Sequence, residues 1–163
     1  MYKRIYNGML KVLKGFLILD MLIIVVMVSL QVFSRYVLNN PTMWSEEVAV
    51  FSLVYFTFLG TALAISEKQM LKITILPDAL PKDKSILLNI FTNVLSISLL
   101  LFVIYFSPNV FITLLNYLTP ALRIPKSIVF ISVPIGAVLM IMSFVEEIME
   151  YIKEYKALKK GEA

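Results

Sequence analysis

Glu46 and Glu47 stand side by side in the segment NNPTMWSEEV, residues 39–48, two positions beyond the chain's one tryptophan, Trp44. Adjacent carboxylates could work as an acid and a base or hold a cation, and a carboxylate in a membrane span is a candidate for function. Neighbours on a helix, however, point about 100° apart, so this pair does not converge on one ion. Helix initiation is the better reading. Ser45 suits an N-cap, and acidic charge in a first turn complements the positive end of the helix dipole. Asn40 before Pro41 offers a second cap, with Pro41 in the first helical position, while Trp44 suits the membrane–water interface.

Other polar residues interrupt apolar runs. Asp20, Gln31 and Arg35 are separated by eleven and four positions, which places them on one side of a helix. Arg35 is expected to pair with Glu46 or Glu47 and pin two spans together, so that charge reversal at Arg35 lowers assembled complex and a paired reversal restores it. Asp20 suits either an interfacial place near Lys14 or a buried role. Gly60, Ala62 and Ala64, with Thr57 and Thr61, permit close helix approach, as do Pro134 and Gly136 if they bend the last span. Asn89, Thr92, Asn93 and Ser96 share a face, and interhelical bonds of about 0.6 kcal/mol each are expected from it. The aromatic residues are scattered and form no ligand cage.

The elements that position these residues are membrane spans. Hydrophobic residues make up 60% of the 163 and charged ones 16%, with a mean hydropathy of +0.86, outside the range of soluble domains. Histidine and cysteine are absent, which excludes bis-His haem, iron–sulfur ligation, disulfides, thiol nucleophiles and the usual zinc sites. The net charge of +4 is spread over span ends and loops, so nucleic acid is not an expected partner. The apolar run after Lys3, Arg4, Lys11 and Lys14 is too long for a signal-peptide core and reads as a retained first span.

Four segments can cross about 30 Å of hydrocarbon: residues 16–38, 47–66, 86–106 and 128–149. The expected fold is an all-α integral membrane protein with four transmembrane helices, a single membrane domain over 1–163 with a cytoplasmic helical tail over 150–160. In that tail Glu150 stands at i+3 and i+4 spacing to Lys153 and Glu154. Lys and Arg number 4, 1, 4, 2 and 4 through the successive non-spanning segments. That alternation places both termini in the cytoplasm and NNPTMWSEEV outside. Apolar character continues past Ser107-Pro108, so the third helix either kinks at Pro108 or breaks there to leave residues 109–119 as a separate interfacial or re-entrant piece, and the break is the favoured expectation. In the second connection KQMLKITIL suits a short segment along the membrane surface. No internal repeat and no paired Gly/Pro-broken spans mark a midplane substrate site. The pattern is that of a supporting chain.

The run RYVLNNPTMWSEEVAVFSLVYFTFLGTALAISEKQMLKI, residues 35–73, resembles the small membrane subunit of tripartite ATP-independent periplasmic (TRAP) transporters. Its marks are Arg35-Tyr36 closing the first span, the Asn40-Pro41 turn, Trp44 with Glu46-Glu47, and the Gly60-x-Ala62-x-Ala64 ending of the second span. Pro134 and Gly136 also fit the family. Met70 and Thr74 depart from it, standing where members often have a histidine and an acidic residue. The resemblance implies a non-enzymatic scaffold subunit of a bacterial or archaeal cytoplasmic membrane, with lipid around it and a large membrane subunit beside it. It implies a periplasmic substrate-binding protein that delivers an organic acid, such as a dicarboxylate or sialic acid, for sodium-driven uptake. No cofactor is expected on this chain, and sodium is expected on the large partner. Arg35, Trp44, Glu46 and Glu47 become the candidate subunit contact or hairpin anchor. The rival reading is a self-sufficient homo-oligomeric carrier or channel lined by Asp20, Gln31 or Asn93; no G-x-S-x-G or clustered Asp motif supports an enzyme.

Overall fold

The computed structural model describes residues 2–67 and 81–160. The expectations for KQMLKITIL, Met70 and Thr74 fall outside them. The described chain is all-α: α1 (Tyr2–Tyr36), α2 (Met43–Ser66), α3 (Lys82–Leu115), the single turn α4 (Ser127–Phe130) and α5 (Ser132–Lys160). Four stretches are long and apolar enough to cross a membrane, namely Gly8–Tyr36, Met43–Ser66, Lys82–Leu115 and Ser127–Lys159.

Several boundaries differ from the sequence reading, each for a local reason. The first helix begins at Tyr2, because the good helix formers Lys and Leu carry it through the basic N-terminal stretch without a proline. It stops at Tyr36, where Val37 and Leu38 N–H both reach back to the Phe33 carbonyl at 2.8 and 3.4 Å. The chain then turns through Asn39, whose φ of 51° lies in the left-handed region that asparagine tolerates. Helix α2 starts at Met43 with Thr42 as its N-cap, so neither Ser45 nor Asn40 caps it and Pro41 precedes its first residue. Ser45 is a first-turn residue with no exposed surface; its Oγ lies 2.7 Å from Thr42 Oγ1 and donates to the Thr42 carbonyl at 2.8 Å.

The expected break at Ser107-Pro108 is absent. Helix α3 runs 34 residues with Pro108 inside it, a length of about 50 Å that must tilt to fit a bilayer. Residues 109–115 are part of this helix, so the separate interfacial or re-entrant piece does not form. Proline removes one backbone bond, and in a membrane helix packing by a neighbour can sustain the interruption. Pro108 lies in a cleft of about 350 Å³ shared with Ile104 and Phe111 of its own helix and with Ile131 and Pro134 across from it. Pro134 has a visible effect: it has no N–H for the Phe130 carbonyl, and the helix is interrupted at Ile131, which separates α4 from α5.

Among the described residues, the backbone of α1 lies against α2, that of α2 against α5 and that of α5 against α3, with α4 lodged where α2, α3 and α5 meet; α1 reaches α5 by side chains alone. The helices therefore stand in a row, α1–α2–α5–α3, one helix thick. Its core is confined to the seams: Leu13, Leu17 and Leu59 between α1 and α2, and Ala62, Ile65 and Met140 between α2 and α5, with Leu139 touching both groups. Tyr6 reaches past α2 to put its hydroxyl 3.0 Å from Ser143 Oγ of α5. A row leaves two broad apolar faces, and the large exposed side chains of α1 and α3 lie there.

Candidate functional site

The carboxylate pair is divided by the fold. Glu47, on the second turn of α2, turns toward the connection between α3 and α4, where its Oε1 accepts from Ala121 N–H at 2.7 Å and its Oε2 from Leu122 N–H at 2.9 Å. The Thr119 side chain also bonds to it, and the Lys126 ammonium adds an attractive charge. The connection is itself folded as a small hairpin. Leu118 and Pro125 form an isolated antiparallel bridge, Thr119 N–H donates to Ile124 C=O at 2.9 Å, and Lys126 N–H donates to Tyr117 C=O at 2.9 Å. Arg123 closes its tip with φ of 53°. One carboxylate thus satisfies two backbone donors 74 and 75 residues away in sequence. A second tie lies beside it, from Tyr55 hydroxyl to Ile128 C=O at 2.7 Å.

Glu46 remains exposed, and Trp44 keeps 43% of its surface on the outside of the chain. The expected ion pair from Arg35 to Glu46 or Glu47 does not form, whereas Lys14 of α1 pairs with Glu67 at 2.9 Å. Arg35 is exposed, its guanidinium 6.0 Å from the centroid of the ring of its neighbour Tyr36. Glu47 is already engaged by main-chain donors, so a paired reversal with Arg35 has no ion pair to restore. The polar stripe of α1 is likewise dispersed. Asp20 is 5% exposed, with Ser52 of α2 as its hydroxyl partner and its Oδ2 unbonded, whereas Gln31 is half-buried and Arg35 exposed.

On α3, Thr92 and Ser96 bond to the carbonyls of Asn89 and Thr92 on their own helix at 2.9 Å each. Asn93 is buried with its Nδ2 unbonded. The expected interhelical bonds from this face are therefore replaced by bonds within the helix, the usual recourse of Ser and Thr where a preceding-turn carbonyl is within reach.

The small residues separate into two groups. Ala62 is 1% exposed in the α2–α5 seam. Opposite, a Cβ on Gly136 would lie 2.9 Å from Phe58 Cβ and 3.0 Å from the Phe58 carbonyl oxygen, so the α2 and α5 backbones approach closely there. Gly60 and Ala64 instead line an open cleft of about 640 Å³ beside α1. The clasp of Glu47, the tyrosine ties and the Asp20–Ser52 contact are what single-sequence reasoning missed. The pair of prolines bracketing TPALRIP, residues 119–125, was a turn signal that could have drawn attention to the loop, but nothing in it names Glu47.

Carboxylate oxygens spent on main-chain N–H groups, hydroxyls turned back on their own helices and polar groups divided among separate seams describe a membrane-spanning structural subunit. Comparison with known proteins narrows this. The family described as "Tripartite ATP-independent periplasmic transporters, DctQ component" matches residues 24–154, and the chain belongs to that family of non-enzymatic small permease subunits. It is 32% identical over 128 residues to the sialic acid TRAP transporter small permease protein SiaQ of Vibrio cholerae, covering 76% of this chain and 71% of that protein. It is 27% identical over 116 residues to the sialic acid TRAP transporter permease protein SiaT of Haemophilus influenzae, covering 71% of this chain. Over 148 residues, 86% of this chain, it is 25% identical to the isethionate TRAP transporter permease protein DctMQ of Oleidesulfovibrio alaskensis. In the last two the matched stretch is 19% and 23% of a much longer polypeptide. The chain is thus a small TRAP permease subunit and a multi-pass protein of the cytoplasmic membrane.

Proposed function

We propose that this subunit is the static support of a large permease subunit that carries an organic acid inward on a sodium gradient, the acid being handed over by a periplasmic binding protein. The observation that carries this reading is the single-layer row of helices. A row one helix thick has no interior through which a solute could pass, but it offers wide apolar faces on which another membrane protein can pack. The two longer relatives support the same reading, since in each a counterpart of this chain is one part of a larger permease polypeptide. Sodium and substrate sites then belong to the large partner, with no cofactor on this chain. The lysine and arginine distribution orients both termini to the cytoplasm, which sets the Glu47 clasp, Trp44 and Arg35 at the periplasmic surface.

The rival homo-oligomeric carrier would need the intramembrane polar groups to share a path. Asp20 lies in the α1–α2 seam and Asn93 on α3, with α2 and α5 between those helices, an arrangement that favours support over conduction. Affinity purification of the tagged chain, co-expressed with an untagged large permease subunit, is expected to recover the two in a fixed ratio. Recovery of this chain alone, as a homo-oligomer, would reverse the choice.

A further inference from the structure

We infer that the cleft between α1 and α2, centred on Gly60, is the seat of a transmembrane helix of the large permease subunit. The inference rests on the function proposed above and locates the contact. The cleft holds about 640 Å³ and is lined on one side by Leu17, Ile18 and Met21 and on the other by Thr57, Gly60 and Ala64. From Phe56 to Glu67 it follows α2 for about 16 Å, three turns of helix.

Gly60 is the informative residue. A glycine inside a helix weakens it relative to alanine, so its presence calls for a close contact. At Gly136 that contact is internal, because a Cβ there would run into Phe58 at 2.9 Å, whereas a Cβ on Gly60 meets no atom within 4 Å. Gly8 and Gly15 are equally unconfined but lie on exposed surface in the first half of α1. Nothing among the described residues uses the missing side chain of Gly60.

The surroundings fit a helix. Thr57 and Thr61 donate to the carbonyls of Leu53 and Thr57 at 2.7 Å, so their hydroxyls are engaged within α2 and do not require a polar partner. Small residues spaced by four, Thr57 with Thr61 and Gly60 with Ala64, let a second backbone come close, which is how membrane helices associate. The free edge of α3 presents the opposite surface, with Phe91, Leu95, Leu99, Phe102 and Tyr105 between 60% and 75% exposed. Bulky flexible chains of that kind suit lipid. The Lys14–Glu67 ion pair closes one end of the cleft, leaving the apolar remainder to the partner. The relatives in which this segment is part of a longer permease chain make the large subunit the occupant in preference to a second copy or a phospholipid.

The test is recovery of the untagged large subunit with tagged chain carrying Gly60→Leu, compared with wild type and with Leu99→Ala on the α3 edge. Gly60→Leu is expected to lower recovery at least tenfold, with the chain's own yield and melting temperature undiminished; Leu99→Ala leaves recovery as in wild type. A photoreactive phenylalanine analogue in place of Ile18, across the cleft, is expected to cross-link to the large subunit. Wild-type recovery matched by Gly60→Leu, or a cross-link from position 18 only to phospholipid or to a second copy, overturns the assignment of the cleft alone. Failure of the wild-type chain itself to retain the large subunit overturns the proposed function, and this assignment with it.

Discussion

One added methyl at Gly136 is expected to destabilise the chain by about 1–3 kcal/mol, the usual penalty for overpacking a close contact. The same change at Gly60 is expected to stabilise it by about 0.5–1 kcal/mol, the gain in helix propensity. The two glycines are opposed because only one is confined. A Cβ at Gly136 would stand 2.9 Å from Phe58 Cβ, 3.0 Å from its carbonyl oxygen and 3.1 Å from its carbonyl carbon. Two of these atoms are main chain, so no rotamer change relieves the contact, and α5 must move away from α2. That seam also holds Ala62 and Met140, and it joins the α1–α2 half of the row to the α3–α5 half. Unfolding of the purified chain in mixed micelles against a denaturing detergent reads both effects on one scale. Equal shifts for Gly136→Ala and Gly60→Ala would show that the α2–α5 approach is looser than described.

Glu47→Ala is expected to free the loop that joins α3 to α4. The carboxylate bonds Ala121 and Leu122 N–H in bidentate fashion, and charge-assisted bonds of this kind are the stronger ones. Without them the loop keeps its internal bridge at Leu118 and Pro125 but loses its attachment to α2. Amide exchange at Ala121 and Leu122 is expected to accelerate by at least about tenfold, since local opening sets exchange rates. Glu47→Gln falls between, because an amide retains one acceptor oxygen and loses the second. Glu46→Ala, one residue away on an exposed face, leaves both amides as protected as in wild type. Exchange that is equally fast in wild type and Glu47→Ala would mean that the clasp does not hold in the membrane.

The contrast between Glu46 and Glu47 shows what was legible in the residues. Helix type and span number were, because lipid forces backbone hydrogen bonds inward and each span therefore appears as a long apolar run. That the two glutamates diverge was legible too, from helix geometry alone. Which of them is engaged was not, since the partner loop lies 74 residues on and presents only backbone N–H groups, which every non-proline residue possesses. Arg35 misled for a related reason. Opposite charges at the two ends of a short turn suggest a pair, but Arg35 is exposed beside the Tyr36 ring and Glu47 is engaged by the loop. Pro108 misled because helix-breaking rules drawn from soluble proteins are relaxed where a neighbouring helix packs on the interruption. The row arrangement was hidden as well: four apolar helices pack as readily into a closed bundle, and the choice depends on small local contacts such as Gly136 with Phe58.

These contacts describe a subunit packed along its seams, clasped at one end and apolar on its faces. The central claim is that this chain supports transport without conducting it. Sodium-gradient uptake of a radiolabelled carboxylate into proteoliposomes tests that most directly, with the large subunit and the loaded binding protein supplied with and without this chain. Uptake is expected only when all three are present, with none from this chain alone at any sodium gradient. Uptake by vesicles containing this chain alone, or undiminished uptake when it is omitted, would contradict the account.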